Sequence, residues 1–502
     1  MAEMALRVLL DGLERRLEAM DAAYADAQWR EHFGRMSDHE LEELEATRSA
    51  LLSDVQMRAL LNRWEGRLRD VSLSRRMTLL SRRFLWAGVE TRPEVYKLRN
   101  RIDQAILAFQ PQIDAAPVSR VGRTDTLRRH PDRARRREAW LAMGPLAARI
   151  GADVRELMRR REKRARELGY DGFVDLALTV TGLSRQQVED WFDELRRLTD
   201  VPYRAWLAEA ARRLSLEEGL RPWDLAFAAE REAPLPEAAF PGDESLQAVR
   251  AVAEGMGLGE AAAGVRVDAV DTPYAGLCYA VRPPDDVRVL LNPRDGHAAY
   301  DVLFHEFGHA LYHRCVQSSS PALHRESPAF NEAMASIWQR LVSEPEWLMG
   351  HNGITPDQAA ASRRTWTRRT VYRLRTLMAQ ATFEYRAYQD VDGDLSAVLR
   401  DVYADYLGVP CDEAPGWADS AFWTSHPIYV QNYVIAEMVA SQTLAALRRR
   451  FGRLVNEPRA GAWLVENYYA PGASLPWADK VLRATGAPLS SADLAVDLGC
   501  DG

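Results

Sequence analysis

Apolar residues recur at a spacing near 3.6 along almost the whole chain, and that rhythm restricts it to a helical body. Leu6, Leu9, Leu10, Leu13, Leu17 and Met20 form one such stripe. Residues 41–51, 57–68, 99–109, 134–168, 184–198 and 201–214 repeat the style on backgrounds rich in Ala, Leu, Arg and Glu. No fixed repeat period accompanies the pattern, so a solenoid is unsupported. Two segments interrupt it. Residues 232–244 are Pro-rich and read as an exposed loop. Residues 265–292 are the one β region, with apolar runs at 274–281 and 287–292 joined by the turn residues Arg282-Pro-Pro-Asp-Asp286. The expected fold is mainly α, with a small sheet just before the helix around residue 305.

Of the 502 residues, 47% are hydrophobic, enough to fill a large core, and the net charge of −7 offers no global basic footprint for nucleic acid. The basic runs at 128–137 and 159–166 are expected to be solvated helix faces. Cys278, Cys315, Cys411 and Cys500 lie far apart without a CxxC pair, which fits a reducing compartment. The N-terminal apolar stretch is cut by Arg7 and Asp11, too charged for a signal peptide. No window approaches the roughly 18 apolar residues that span a bilayer. A cytoplasmic protein with no membrane partner is expected.

Residues 305–309 read His-Glu-Phe-Gly-His. With ten histidines in the chain, a chance HxxxH with Glu second is expected about 0.01 times. The four-residue spacing puts His305 and His309 on one helical face, able to reach one ion. Glu306 falls about 100° round the helix, where a carboxylate can hold an attacking water. An extended HExxHxxGxxH motif is excluded, because Tyr312 and Cys315 stand where Gly and His are required. His313 lies about 12 Å along the axis from His305, too far to share the ion.

A third ligand is expected in Arg325-Glu-Ser-Pro-Ala-Phe-Asn-Glu332, where Ser327-Pro328 is a good helix start. Glu332 would sit one turn into that helix, and Glu326, before it, is the rival. Two neutral histidines and a carboxylate leave the ion a fourth position, the catalytic arrangement for zinc. Ser336 could orient either imidazole or simply occupy a helix face. Further on, Pro427 starts another expected helix, capped by Ser425 or His426, with Tyr429 and Tyr433 on one face. His426 and either tyrosine could donate to a developing oxyanion, although tyrosines at this spacing also serve as core.

Together these features resemble the all-helical zinc peptidases with a glutamate third ligand (gluzincins). That group holds thimet oligopeptidase, oligoendopeptidase F, angiotensin-converting enzyme and the Taq-type carboxypeptidases. Phe330-Asn-Glu-Ala-Met-Ala-Ser336 is similar to the converting-enzyme third-ligand helix, and Pro427-Ile-Tyr-Val-Gln-Asn-Tyr433 looks closer to oligoendopeptidase F. Tyr274-Ala-Gly-Leu-Cys-Tyr279 resembles the strand that pairs with an extended substrate, implying substrate contacts at Ala275, Gly276 and Leu277. The likeness runs loosely from about Arg133 to the C-terminus. It implies a helical ellipsoid split by a deep channel, with residues 1–132 as an N-terminal helical wall and 133–502 as the catalytic region.

The resemblance implies one Zn2+ ion and hydrolysis of short unfolded peptides, with Glu306 as base and Tyr433 ahead of Tyr429 as oxyanion donor. Thr424 stands where the converting enzymes carry a Lys that grips a substrate C-terminus, which argues against strict dipeptide release. Two alternatives accompany this reading: a dedicated biosynthetic metalloenzyme acting on one precursor peptide or small molecule, and a non-enzymatic helical interaction protein.

Overall fold

The computed structural model describes residues 2–35, 38–230, 235–270, 276–351 and 353–500. It is mainly α, with two small sheets. The elements that position the site are helices α1 (Ala2–Glu31), α2 (Val71–Glu90), α3 (Pro93–Ala108) and α4 (Gly144–Glu167). Strands β1 (Arg266–Ala269), β2 (Gly276–Arg282) and β3 (Asp286–Leu291) follow. Next come α5 (His297–Arg314), α6 (Pro328–Leu341), α7 (Pro356–Gln389), α8 (Gln431–Phe451) and α9 (Trp477–Thr485). A two-residue hairpin, Gln112–Ile113 against Ala116–Pro117, escaped the sequence reading because it is too short to show a period.

The main sheet has the order β1-β3-β2, with β3 parallel to β1 and antiparallel to β2. β3 is central and buries Val287, Val289, Leu290 and Leu291, leaving β2 at an edge. Both lie against α5, as the short interval between strand and motif implies.

Helix α6 is the centre of the molecule. Phe330, Ala333, Met334, Ile337 and Trp338 are all buried and, at this spacing, make one apolar face of the helix, which packs against both α5 and α8. Two charged residues are built into it, Glu332 and Arg340. Arg340 is buried and donates to Glu437 Oε2 (2.5 Å) and Ser441 Oγ (2.6 Å) on α8, and to Asp497 Oδ2 (2.7 Å) near the C-terminus. A guanidinium with three partners fixes the axial position of α6 as apolar contacts alone would not.

The N-terminal helices have a smaller core of their own, formed by Leu6, Leu10, Leu13 and Leu17 with Leu61, Leu73, Met77, Leu80 and Phe84. The larger core begins at Val89. α1 reaches the sheet through Arg288–Asp26 (2.8 Å), and the turn after it adds a 2.8 Å hydrogen bond between His32 Nε2 and the Tyr279 hydroxyl. The basic runs differ from expectation. Arg136 and Arg161 are buried, the first on Asp224 (2.8 Å) and the second on Glu90 (2.6 and 2.8 Å). Carboxylates distant in sequence claim them, which a local reading of charge could not see. No helix among the described residues is long and apolar enough to cross a membrane, and all four cysteines are free.

Candidate metal centre

Gly308 decides how closely α5 and α6 approach. A Cβ there would lie 2.6 Å from Ala335 Cα and 2.7 Å from the Met334 carbonyl oxygen, so the two backbones touch where that side chain is missing. The crossing carries Glu332 onto the imidazole pair. Glu332 Oε2 lies 3.4 Å from His305 Nε2 and 3.8 Å from His309 Nε2. The three donor atoms fall within 4.8 Å of one another. Glu326 is not among them: its carboxylate takes Lys480 Nζ of α9 at 2.5 Å, both groups buried. α6 starts at Pro328 as expected, but Ser327 gives it no side-chain cap; its hydroxyl donates to the Thr181 carbonyl instead.

The donor set fits a divalent ion. Glu332 Oε2 is buried with no hydrogen-bond partner among the described residues, and the two imidazole nitrogens converge on it. Burial opposes charge on His305, but the Glu332 and Glu306 carboxylates outweigh it and hold the imidazole up at about 9. Burial would raise Glu332 as well, yet the two histidines and Tyr429 bring its carboxyl down to about 2. His309 is shifted down, chiefly by burial. The pocket therefore favours positive charge where the three atoms meet.

The orientation of His305 comes from a residue the sequence reading missed. Its Nδ1 pairs with Gln339 Oε1 (3.0 Å), and Gln339 in turn donates to Asp301 (2.7 Å). With Nδ1–H given to Gln339, Nε2 is the nitrogen turned toward Glu332, and it becomes free for an ion once it gives up its proton, the orientation a metal ligand needs. Ser336, the sequence candidate for this task, is buried but is not the partner of His305 Nδ1, and His309 Nδ1 has no partner among the described residues. Gln339 stands seven residues after Glu332, two full turns on the same face, so helical geometry could have nominated it. His313 stays outside the cluster, with a buried Nδ1 that lacks a partner among the described residues. It lines a cavity of about 240 Å3 together with Glu14, Asp21, Arg83, Arg325 and Asn331, one turn beyond His309.

The late helix starts later than expected. α8 begins at Gln431, and residues 424–428 form turns, with Ile428 at φ +53°. Tyr429 and Tyr433 thus belong to a turn and a helix rather than one helical face. Their rings still pack edge-on at 5.5 Å, beside His426 and Phe422. The Tyr429 hydroxyl donates to Glu332 Oε1 at 2.7 Å. Burial first and the charge of Glu332 second push the Tyr433 phenol above its ordinary range, so it stays a protonated donor at neutral pH.

Gly276 opens the edge strand β2 directly against Glu306, whose Cγ would sit 3.0 Å from a Cβ placed there. Leu277 follows it in the strand, paired with Leu290. Ala275 lies outside the described residues.

No family model and no curated protein matches this chain. Among solved structures, the M32 carboxypeptidase from Deinococcus radiodurans R1 superposes with a TM-score of 0.67 over 98% of this chain and 97% of that one, at 18% identity. At that identity the likeness shows the fold, and its near-complete coverage of both chains makes it a likeness of whole molecules.

Proposed function

We propose that this chain is a zinc-dependent peptidase acting on short unfolded peptides. The observation that carries the reading is the convergence of His305 Nε2, His309 Nε2 and the unpartnered Glu332 Oε2, with Glu306 one residue along α5 and against the edge strand. The whole-chain likeness to a carboxypeptidase supports it. His305, His309 and Glu332 would hold the ion. When bound, zinc supplies a Lewis acid that polarises a carbonyl and acidifies water toward neutrality.

The chain's own groups account for the remaining steps. Glu306 takes a proton from the attacking water at its carboxylate and delivers it to the leaving amine nitrogen. Tyr433 donates to the carbonyl oxygen as charge builds there, with His426 beside it. Tyr429 has its hydroxyl engaged by Glu332, so in this reading it fixes the ligand's rotamer. The outer edge of β2, at Gly276 and Leu277, pairs with no further strand among the described residues and offers backbone groups to an extended peptide.

The test is Glu306→Gln. The variant is expected to keep stoichiometric zinc by elemental analysis and to lose cleavage of a mixed peptide library followed by mass spectrometry. Cleavage at the wild-type rate would end the proposal. Wild-type protein that binds zinc and cleaves only one precursor sequence would point to the dedicated biosynthetic enzyme.

A further inference from the structure

The turn that carries His426 and Tyr429 is held from beneath by groups outside the proposed chemistry. Glu384 of α7 is buried, and its Oε1 accepts from the Ile428 backbone N–H at 3.0 Å. The Ile428 carbonyl receives the Gln431 side-chain amide at 2.6 Å. Both peptide groups flanking this residue are thus tied while its φ is +53°, a conformation that a β-branched residue rarely adopts. The other end of the turn is tied just as fully. Arg161 of α4, wholly buried, donates to the carbonyls of Trp423 (2.9 Å) and Thr424 (2.5 Å) while its remaining face is taken by Glu90 of α2. Asp103 of α3 accepts the hydroxyls of Thr424 and Ser425, each at 2.5 Å.

Three helices therefore each send one ionisable side chain into the segment 423–428, with Glu90 of a fourth bracing Arg161, and none of these groups bonds His305, His309 or Glu332. Without them the chain has every reason to relax: Pro427 is a favourable first helical residue, and α8 could start three or four residues earlier. Such a helix would turn Tyr429 away from Glu332.

We propose that Glu384, with Arg161 and Asp103, is a positioning set that locks the 423–428 turn in its strained form and so places the Tyr429 hydroxyl on Glu332. Glu384 is the central member, because it alone satisfies the amide of the strained residue. Its second oxygen is buried without a partner among the described residues, and burial holds the carboxyl up at about 8, so the group sits there neutral at physiological pH. A neutral acceptor is all this role needs, and glutamine should fill it.

The kinetic part of this inference rests on the peptidase reading; the structural part does not, and the experiment separates them. Wild type, Glu384→Gln, Glu384→Met and Asp103→Ala are compared as full chains, first metal-free, by hydrogen–deuterium exchange of peptides spanning 424–433. Glu384→Met is expected to speed exchange there about tenfold, the worth of one buried hydrogen bond, with α5 and α6 unchanged. Glu384→Gln is expected to match wild type, and Asp103→Ala to loosen the 424–426 end. In the zinc-loaded protein, kcat on a peptide substrate is expected to fall about tenfold in Glu384→Met with KM within about twofold, and to recover in Glu384→Gln. Unchanged exchange in Glu384→Met, or glutamine behaving like methionine, overturns the proposal. Should methionine prevent folding, unchanged exchange in Asp103→Ala overturns it. A wild type that cleaves no peptide defeats the functional reading, and the exchange data still decide the positioning claim.

Discussion

Replacing Gly308 by alanine adds one methyl group, and the structure says where it must go. The new Cβ would lie 2.6 Å from Ala335 Cα and 2.7 Å from the Met334 carbonyl oxygen. Carbon atoms in good contact sit about 3.5–4.0 Å apart, so α5 and α6 must separate by about 1 Å. Neither atom belongs to a movable side chain. Overpacking of this kind costs about 1–3 kcal/mol. The same displacement carries Glu332 away from both imidazoles, whereas metal-ligand bonds tolerate only about 0.2 Å. Gly308→Ala is therefore expected to lose about 2 kcal/mol of stability and at least about tenfold in zinc affinity, read by competition with a chromophoric chelator. Gly12 supplies the control. It lies in α1 with nothing within 4 Å of its would-be Cβ, and alanine there should stabilise by about 0.5–1 kcal/mol. The reasoning fails if Gly308→Ala binds zinc and unfolds like wild type.

Lys480→Met strands the buried Glu326 carboxylate and is expected to destabilise by about 3–5 kcal/mol, while Lys480→Met with Glu326→Gln recovers most of the loss; denaturant unfolding of the two variants checks this. Glu384 binds a proton in the folded chain up to about pH 8 and in the unfolded chain only to about 4.5, so its contribution to stability falls as pH rises between those values. By pH 7 the loss is about 3 kcal/mol, and Glu384→Gln should abolish it; equal pH slopes for variant and wild type between pH 5 and 7.5 would contradict this. Zinc at about a thousand times its Kd should stabilise the metal-free protein by about 4 kcal/mol, an effect that His305→Ala removes in a thermal-shift titration.

Much of this molecule can be read from local pattern. A 3.6-residue rhythm specifies helices wherever it occurs, and HEFGH sets two imidazoles on one face by spacing alone. Glu332 was legible because Ser327-Pro328 marks where its helix begins, which fixes its turn. The features that escaped all depend on partners distant along the chain. The start of α8 is displaced to Gln431 because Glu384, 44 residues upstream, claims the Ile428 amide. The burial of Arg136 and Arg161 reflects Asp224 and Glu90, 88 and 71 residues away. Gly308 sits inside the motif and was still unread, since its meaning lies in the backbone of another helix.

The buried Arg340 ties the scaffold of Glu332 to Asp497. Glu332 and Asp497 are 165 positions apart, so a ribosome releases all three candidate ligands well before it makes the residue that anchors their framework. A nascent chain of 480 residues would hold both histidines and the glutamate while its central helix still lacked one of its fastenings. Any stiffening of the centre that depends on this contact then waits for the synthesis of residue 497.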